Sequence, residues 1–185
     1  MSIINTIIAY NKNKILFEYT NYQGNFSQAS RLIIQNIPDE SLGYITSDNK
    51  TFFYVSALGV IYLCLTEDFS KEHGFCYLYD VKQGIIKEKY PNNDFNNISE
   101  YGLKNIESEI VDLINYYLMK PKTARYDNES VSSFTNVEAS VFTLPEFINR
   151  DYVLTAQPKN ESESISHNIN FRNLVRKLLI YLIYY

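Results

Sequence analysis

The amino-acid sequence predicts an α+β fold in which about five strands form an antiparallel sheet with helices packed on both of its faces. The first observation is the stretch Thr51 to Thr66, TFFYVSALGVIYLCLT, rich in Val, Ile, Tyr and Phe and turning back at Leu58-Gly59. That is the composition of a β-hairpin. The second is that both side-chain sets of this hairpin are apolar: Phe53, Val55 and Ala57 against Phe52 and Tyr54 in one arm, Ile61, Leu63 and Leu65 against Val60, Tyr62 and Cys64 in the other. A sheet with one wet face alternates apolar and polar residues, so this hairpin requires a cover on each side. The third is the order of hydrophobic periods along the chain, which reads β-β-α-β-β-β-α-α.

The order follows from local signals. Ile3 to Tyr10 and Ile15 to Tyr19 are β-rich runs separated by Asn11-Lys12-Asn13-Lys14, a polar loop suited to a hairpin. Gly24-Asn25 then introduces FSQASRLIIQNI, where the Asn25 side chain is placed to cap a helix and Pro38 stops it. On a helical wheel Phe26, Ala29, Ile33 and Ile37 share one face, with Leu32 and Ile34 on its two flanks. Tyr44 to Thr46 is a short strand, and the turn at Ser47 to Lys50 feeds the hairpin.

Beyond Thr66, Ser70 and two acidic residues lead into FSKEHGFCYLYDVKQGIIKEKY, which carries Phe75, Leu78, Tyr79, Lys82 and Ile86 near helical spacing, with Gly84 as a weak point. His73, among Lys71, Glu72 and Gly74, is expected on a solvated helix face. Ser99 is expected to cap EYGLKNIESEIVDLINYYLMK, whose Leu103, Ile106, Ile110, Leu113, Ile114 and Tyr117 make the clearest amphipathic stripe of the chain. Pro121 ends it.

Composition bounds the function. The chain has 185 residues, 45% of them hydrophobic, which suffices for one domain and an extension. A net charge of −4 and a pI near 5.2 give no electrostatic case for nucleic acid. Two cysteines, Cys64 and Cys76, support neither a disulfide framework nor a cysteine metal site and read as reduced core thiols. The N-terminal MSIINTIIAYNKNK lacks a basic leader and a small-residue cleavage pattern, so a strand is expected there rather than a signal peptide.

Catalytic patterns are missing too. With His73 and His167 as the only histidines, there is no H-E-x-x-H pattern, and neither a G-x-S-x-G elbow nor a phosphate-binding glycine loop is present. Glu107 and Glu109 are not one helical turn apart and are expected to be solubilising charges. No catalytic, cofactor-binding or metal-binding residue is assigned, and no cofactor is expected. An enzyme is the most distant of the readings.

The element order, together with QGNFSQASRLIIQNIP, VIYLCLTEDF and the helix carrying GFCYLYDVKQGI, resembles the longin domain of the long vesicle-associated membrane proteins, the synaptobrevin-like R-SNAREs. The likeness covers about Met1 to Lys120. It implies a profilin-like longin fold, with a five-stranded antiparallel sheet between one helix and two. It further implies vesicle targeting and fusion on the cytosolic face of endomembranes or vesicles, with SNARE proteins and trafficking adaptors as partners, because such domains bind sorting adaptors and fold back on their own SNARE motif.

Three regions are therefore expected: a longin domain at 1–120, a degenerate SNARE-like or linker region at 121–170, and a basic-apolar tail at 171–185. The family's second half is a long helix with heptad layers and one central arginine. Here NRDYVLTAQ is followed by Pro158 where the resemblance puts the arginine. Proline removes a helix hydrogen bond, at about 3 kcal/mol or more. The chain thus reads either as a trafficking SNARE or as a non-fusogenic longin adaptor that acts through the domain alone.

In the tail, FRNLVRKLLIYLIYY, residues Arg172, Arg176 and Lys177 precede an apolar run. Leu178 to Tyr185 as a helix would cover only about 12 Å of a hydrocarbon core of about 30 Å. A clipped anchor, an interfacial segment drawn to anionic lipid, and a tail docked on its own domain all fit this pattern. The expected partner surface on the domain is a groove beside the first helix, lined by Leu32 and Ile34 on its flanks and by Tyr44 on the adjoining edge strand. The alternative is that these three complete the core at the sheet edge.

Overall fold

The computed structural model describes residues 1–121, apart from positions 48 and 93, together with the backbone at 157–158. The hairpin that dominates the sequence becomes β5 (Lys50–Ala57) and β6 (Val60–Glu67). Its two-residue loop has Leu58 at φ 53° and Gly59 at φ 75°. Two positive φ values in succession are what a hairpin loop of this length requires if it is to match the twist of its strands. β1 (Ser2–Tyr10) pairs with the free side of β6, and β2 (Lys14–Thr20) and β4 (Leu42–Ser47) close the sheet in the order β2-β1-β6-β5-β4, all antiparallel. The sheet is therefore five-stranded, with β6 at its centre.

Both faces are buried. On one, Ile4, Ile7, Ile61, Leu63, Leu65, Phe52 and Tyr54 meet Phe26, Ala29, Ile33 and Ile34 of α1 (Phe26–Asn36) and Ile37 just beyond it. On the other, Ile8, Phe53, Tyr62 and Cys64 meet Phe75, Leu78, Val81, Ile110 and Tyr117 of the second helical layer. The period-two reading of the hairpin is reproduced for Phe52 to Val55 and Val60 to Leu65; Ala57 joins neither core. One irregularity was not foreseen. A bulge between Ile3 and Asn5 keeps the alternation from running straight, so that Asn5 faces α1, where its Oδ1 accepts from Ser30 Oγ at 2.9 Å, and Thr6 faces the opposite layer.

The second layer is one helical rod and one further helix. α2 (Lys71–Asp80) runs without a break into a π-helical turn (Val81–Ile86) and a last α turn, α3 (Lys87–Lys89). Gly84, the expected weak point, lies in the π turn. Every residue from His73 to Leu78 is buried, because α2 touches β5 and β6 on one side and α4 (Glu107–Met119) on the other. His73 is accordingly in the interior, contrary to the solvated position expected of it from its polar sequence neighbours Lys71 and Glu72. Its Nδ1 lies 3.1 Å from Ser70 Oγ, which also accepts from the His73 backbone N–H.

Two caps also differ from expectation. Asn25 makes no side-chain cap bond; only its carbonyl oxygen accepts from the Ala29 N–H, at 3.1 Å. Ser99 starts no helix: residues 99–103 form turns that are followed by a 3-10 turn (Lys104–Ile106), and α4 begins at Glu107. The early residues are held instead by β2, with Tyr101 N–H donating to Ile15 O and Leu103 N–H to Leu16 O. A short strand β3 (Tyr22–Gln23) pairs antiparallel with β7 (Gln157–Pro158), placing Pro158 opposite Tyr22.

Candidate functional site

A sheet of this kind has two edges, and they are treated differently. At β2, Tyr101 and Leu103 take backbone bonds along the strand, Lys14 Nζ donates to the carbonyls of Phe95 and Asn96, and Arg31 bridges Glu18 (2.9 Å) to the hydroxyl of Tyr101. That edge is covered. β4 ends the sheet on the other side and carries no further strand among the described residues.

The register tells which groups β4 presents. Ser41 and Ser56 exchange both backbone bonds, at 3.0 and 2.7 Å, so alternate pairs along the strand, Gly43↔Tyr54 and Ile45↔Phe52, are the hydrogen-bonded ones. The N–H and C=O groups of Leu42, Tyr44 and Thr46 therefore point outward. No charge, proline or bulge lies in LGYITS. Natural edge strands are usually blunted by one of these devices; β4 has none of them, and its outward backbone groups are left for an added extended segment to pair with.

The side chains beside this edge divide between the two faces. Tyr44 turns to the two-helix layer: its ring lies 6.1 Å from Phe53 and 6.4 Å, edge-on, from Phe75, with Lys71 Nζ 5.4 Å from its centroid. Ile45, only 6% exposed, turns to the α1 layer. On α1, Ser30 and Arg31 reach Asn5 and Glu18, so that flank faces β1 and β2. Leu32, about 160° round the helix from Ser30, is half-buried against the α1 core.

The expected trio of Leu32, Ile34 and Tyr44 thus does not line one groove. Ile34 is fully buried, at 0% exposure, and Tyr44 is on the opposite face of the sheet. Leu32 remains on the α1 flank, and the backbone edge of Leu42, Tyr44 and Thr46 is the element that the sequence reading missed. The signal was there in part: opposed residues in an antiparallel pair share a face, so pairing Tyr44 with Phe53 would have placed it. Arg172, Arg176 and Lys177 lie outside the described residues.

No acid-base or nucleophilic arrangement accompanies this surface. Burial and nearby Asp80 push the Cys76 thiol up to about 12, and burial raises Cys64 further, so neither offers a thiolate at neutral pH. Among the described residues no group of three or more His, Cys, Asp or Glu is placed to hold a metal ion, and no helix is long and apolar enough to cross a membrane.

Residues 16–110 match the family model of the longin, regulated-SNARE-like, domain. A search of curated proteins finds no significant match. Longin domains are trafficking modules, which gives the chain a SNARE-related trafficking role. With a five-stranded antiparallel sheet, three helices and a match over half its length, the chain belongs to the longin family.

Proposed function

We propose that the protein works in vesicle-mediated transport as a longin R-SNARE-like component, whose domain at 1–120 engages adaptors and SNARE proteins on the cytosolic face of endomembranes. The observation that carries this reading is the open edge of β4, on a sheet whose α1 layer also leaves Leu32 half-buried. Its outward groups at Leu42, Tyr44 and Thr46 supply main-chain hydrogen bonds to an extended segment, and apolar contacts on the α1 side supply selectivity. The region at 121–170 then serves as the SNARE-like part or linker, and Arg172, Arg176 and Lys177 bring the tail at 171–185 to anionic lipid.

A second reading, a non-fusogenic longin adaptor, is favoured by Pro158. A proline at the centre of a SNARE helix removes a backbone donor and cannot offer the charge of an arginine to partner glutamines. Mixing the purified chain with Q-SNARE helices separates the two. A detergent-resistant four-helix complex supports the fusogenic form, and retention of adaptor binding without such a complex supports the adaptor form. Loss of neither activity when β4 is blocked would remove the proposed surface from both.

A further inference from the structure

α4 carries two apolar stripes. Ile110, Ile114 and Tyr117 are buried in the second core, and Leu113, Tyr116 and Met119, three residues apart in turn, form another beside it. Leu113 is half-buried, Tyr116 is exposed, and Met119 is 85% exposed. One stripe is enough to seat a helix on its core, so the second is surplus to the fold. Leu113 and Tyr116 line one wall of a groove of about 460 Å³, and the π turn, with Ile85, is the other. Gly84 leaves the mouth open, since an added Cβ there would meet nothing within 4 Å.

The rim of this groove is acidic: Asp80, Glu109 and Asp112 stand round it. Asp80 accepts from the Tyr117 hydroxyl at 2.5 Å, and Glu109 pairs with Lys89. Asp112 is exposed and has no ion pair among the described residues. Lys120, at the end of α4, holds its Nζ 4.4 Å from the Tyr116 centroid, so a cation already rests on that ring. An apolar floor under three carboxylates selects a ligand that is apolar and basic together. Its form follows from the walls. Both are helical and bond their backbones internally, so unlike β4 they offer an extended chain no main-chain partner. A ligand that satisfies its own backbone is itself a helix.

We propose that the groove between the π turn and α4 receives a basic amphipathic α-helix of a partner protein. Its aliphatic side chains lie on Ile85, Leu113 and Tyr116, and Lys or Arg on its flanks faces Asp80, Glu109 and Asp112. The 13 residues of α4 present a wall of about 20 Å, which three to four turns of helix match. The chain's net charge of −4 favours encounter with a basic partner. This surface goes beyond the β4 edge: it belongs to the outside of the two-helix layer and reads a helix by its side chains, where β4 reads a strand by its backbone. One domain can therefore hold a partner at each.

The test is fluorescence anisotropy of the full chain with a labelled synthetic peptide of about 16 residues, with leucine on one helical face and lysine and arginine on its flanks, at about 0.15 M salt. The peptide should bind and gain helicity by circular dichroism. A peptide of the same composition with its leucines dispersed round the helix should bind about tenfold more weakly, which separates the groove from general attraction to an acidic protein. Asp112→Lys and Gly84→Leu, which alter the rim and the mouth from different elements, should each weaken binding about fivefold or more. Asp39→Lys, the same charge change at a residue paired with Lys12, should not. Thr46→Pro should leave binding unchanged, so failure of strand addition at β4 and failure of this site are told apart. Equal binding of the dispersed peptide, affinity unaltered by both groove variants, or binding without a gain of helicity would overturn the proposal. Dimers of the full chain that Asp112→Lys abolishes, seen by sedimentation velocity, would assign the groove to a second copy and overturn it too. Thermal melting checks that each variant is folded.

Discussion

Gly74 of α2 rests on the ring of Phe53 in β5: a Cβ built at Gly74 would fall 2.3 Å from Phe53 Cδ2. The glycine is what lets the helix approach the sheet this closely, with Phe75 meeting Phe53 edge-on at 5.3 Å. Alanine in a helix interior is normally favoured over glycine by about 1 kcal/mol. Here the overlap is with a fully packed ring, and overpacking costs about 1–3 kcal/mol. Gly74→Ala should therefore lower the urea midpoint despite its better helix propensity, whereas Gly84→Ala, where nothing stands in the way, should leave it unchanged or raise it.

Thr6 Oγ1 and Tyr77 Oη lie 2.8 Å apart inside the second core, a cross-tie between β1 and α2. Burial raises the Tyr77 phenol well above its ordinary range, so it stays protonated and available as a donor at all working pH values. Removing one partner leaves the other buried without its bond, at about 1–3 kcal/mol, whereas removing both is close to neutral. Tyr77→Phe and Thr6→Val should each destabilise, and the double variant should lose less than their sum. A double-mutant cycle from denaturant unfolding measures this coupling.

What was legible in the sequence follows from what repeats. The alternation in Phe52 to Val55 and Val60 to Leu65 assigned each side chain to its face, because strand period is local and unaffected by neighbours. The element order gave the one-and-two helix cover. The misplacements all arise from tertiary context. His73 was read from its polar sequence neighbours, yet α4 closes over that side of α2. Ser99 is a competent cap residue, but β2 takes the backbone bonds of Tyr101 and Leu103 first. The site was half legible for the same reason: helix spacing put Leu32 and Ile34 on flanks, and only the sheet decides which flank is covered.

His73 makes the fold sensitive to acid. Burial is the main cause that holds its pKa below the ordinary value, followed by the positive charge of Lys120, with Glu72 opposing them. Ser70 Oγ and the edge-on rings of Phe69, 5.7 Å away, and Tyr117, 6.4 Å away, stand around it. A histidine whose folded pKa is depressed binds fewer protons folded than unfolded. Its contribution is therefore fully present above the unfolded pKa of about 6.5 and is lost as pH falls below it. Melting temperatures of the wild type should fall between pH 7 and pH 5.5, and His73→Phe should flatten that dependence. A profile shared by both proteins would assign the effect to carboxylates instead.

Substitutions around β4 separate core from surface. Ile34 is fully buried against β-strand side chains of the α1 core, so Ile34→Ala should cost about 2–5 kcal/mol of stability. Leu32→Ser, at a half-buried flank, should cost far less and weaken partner binding. Thr46→Pro removes an outward N–H without touching the β4–β5 ladder, because Thr46 is in a non-hydrogen-bonded pair with Thr51. Proline is tolerated at edge strands, and the Thr46 and Thr51 hydroxyls, 3.2 Å apart, are exposed, so only a small stability loss is expected. Adaptor peptides that add as a strand should then bind at least tenfold more weakly in titration calorimetry. Equal affinity for Thr46→Pro and wild type would show that partners use the α1 flank through side chains alone.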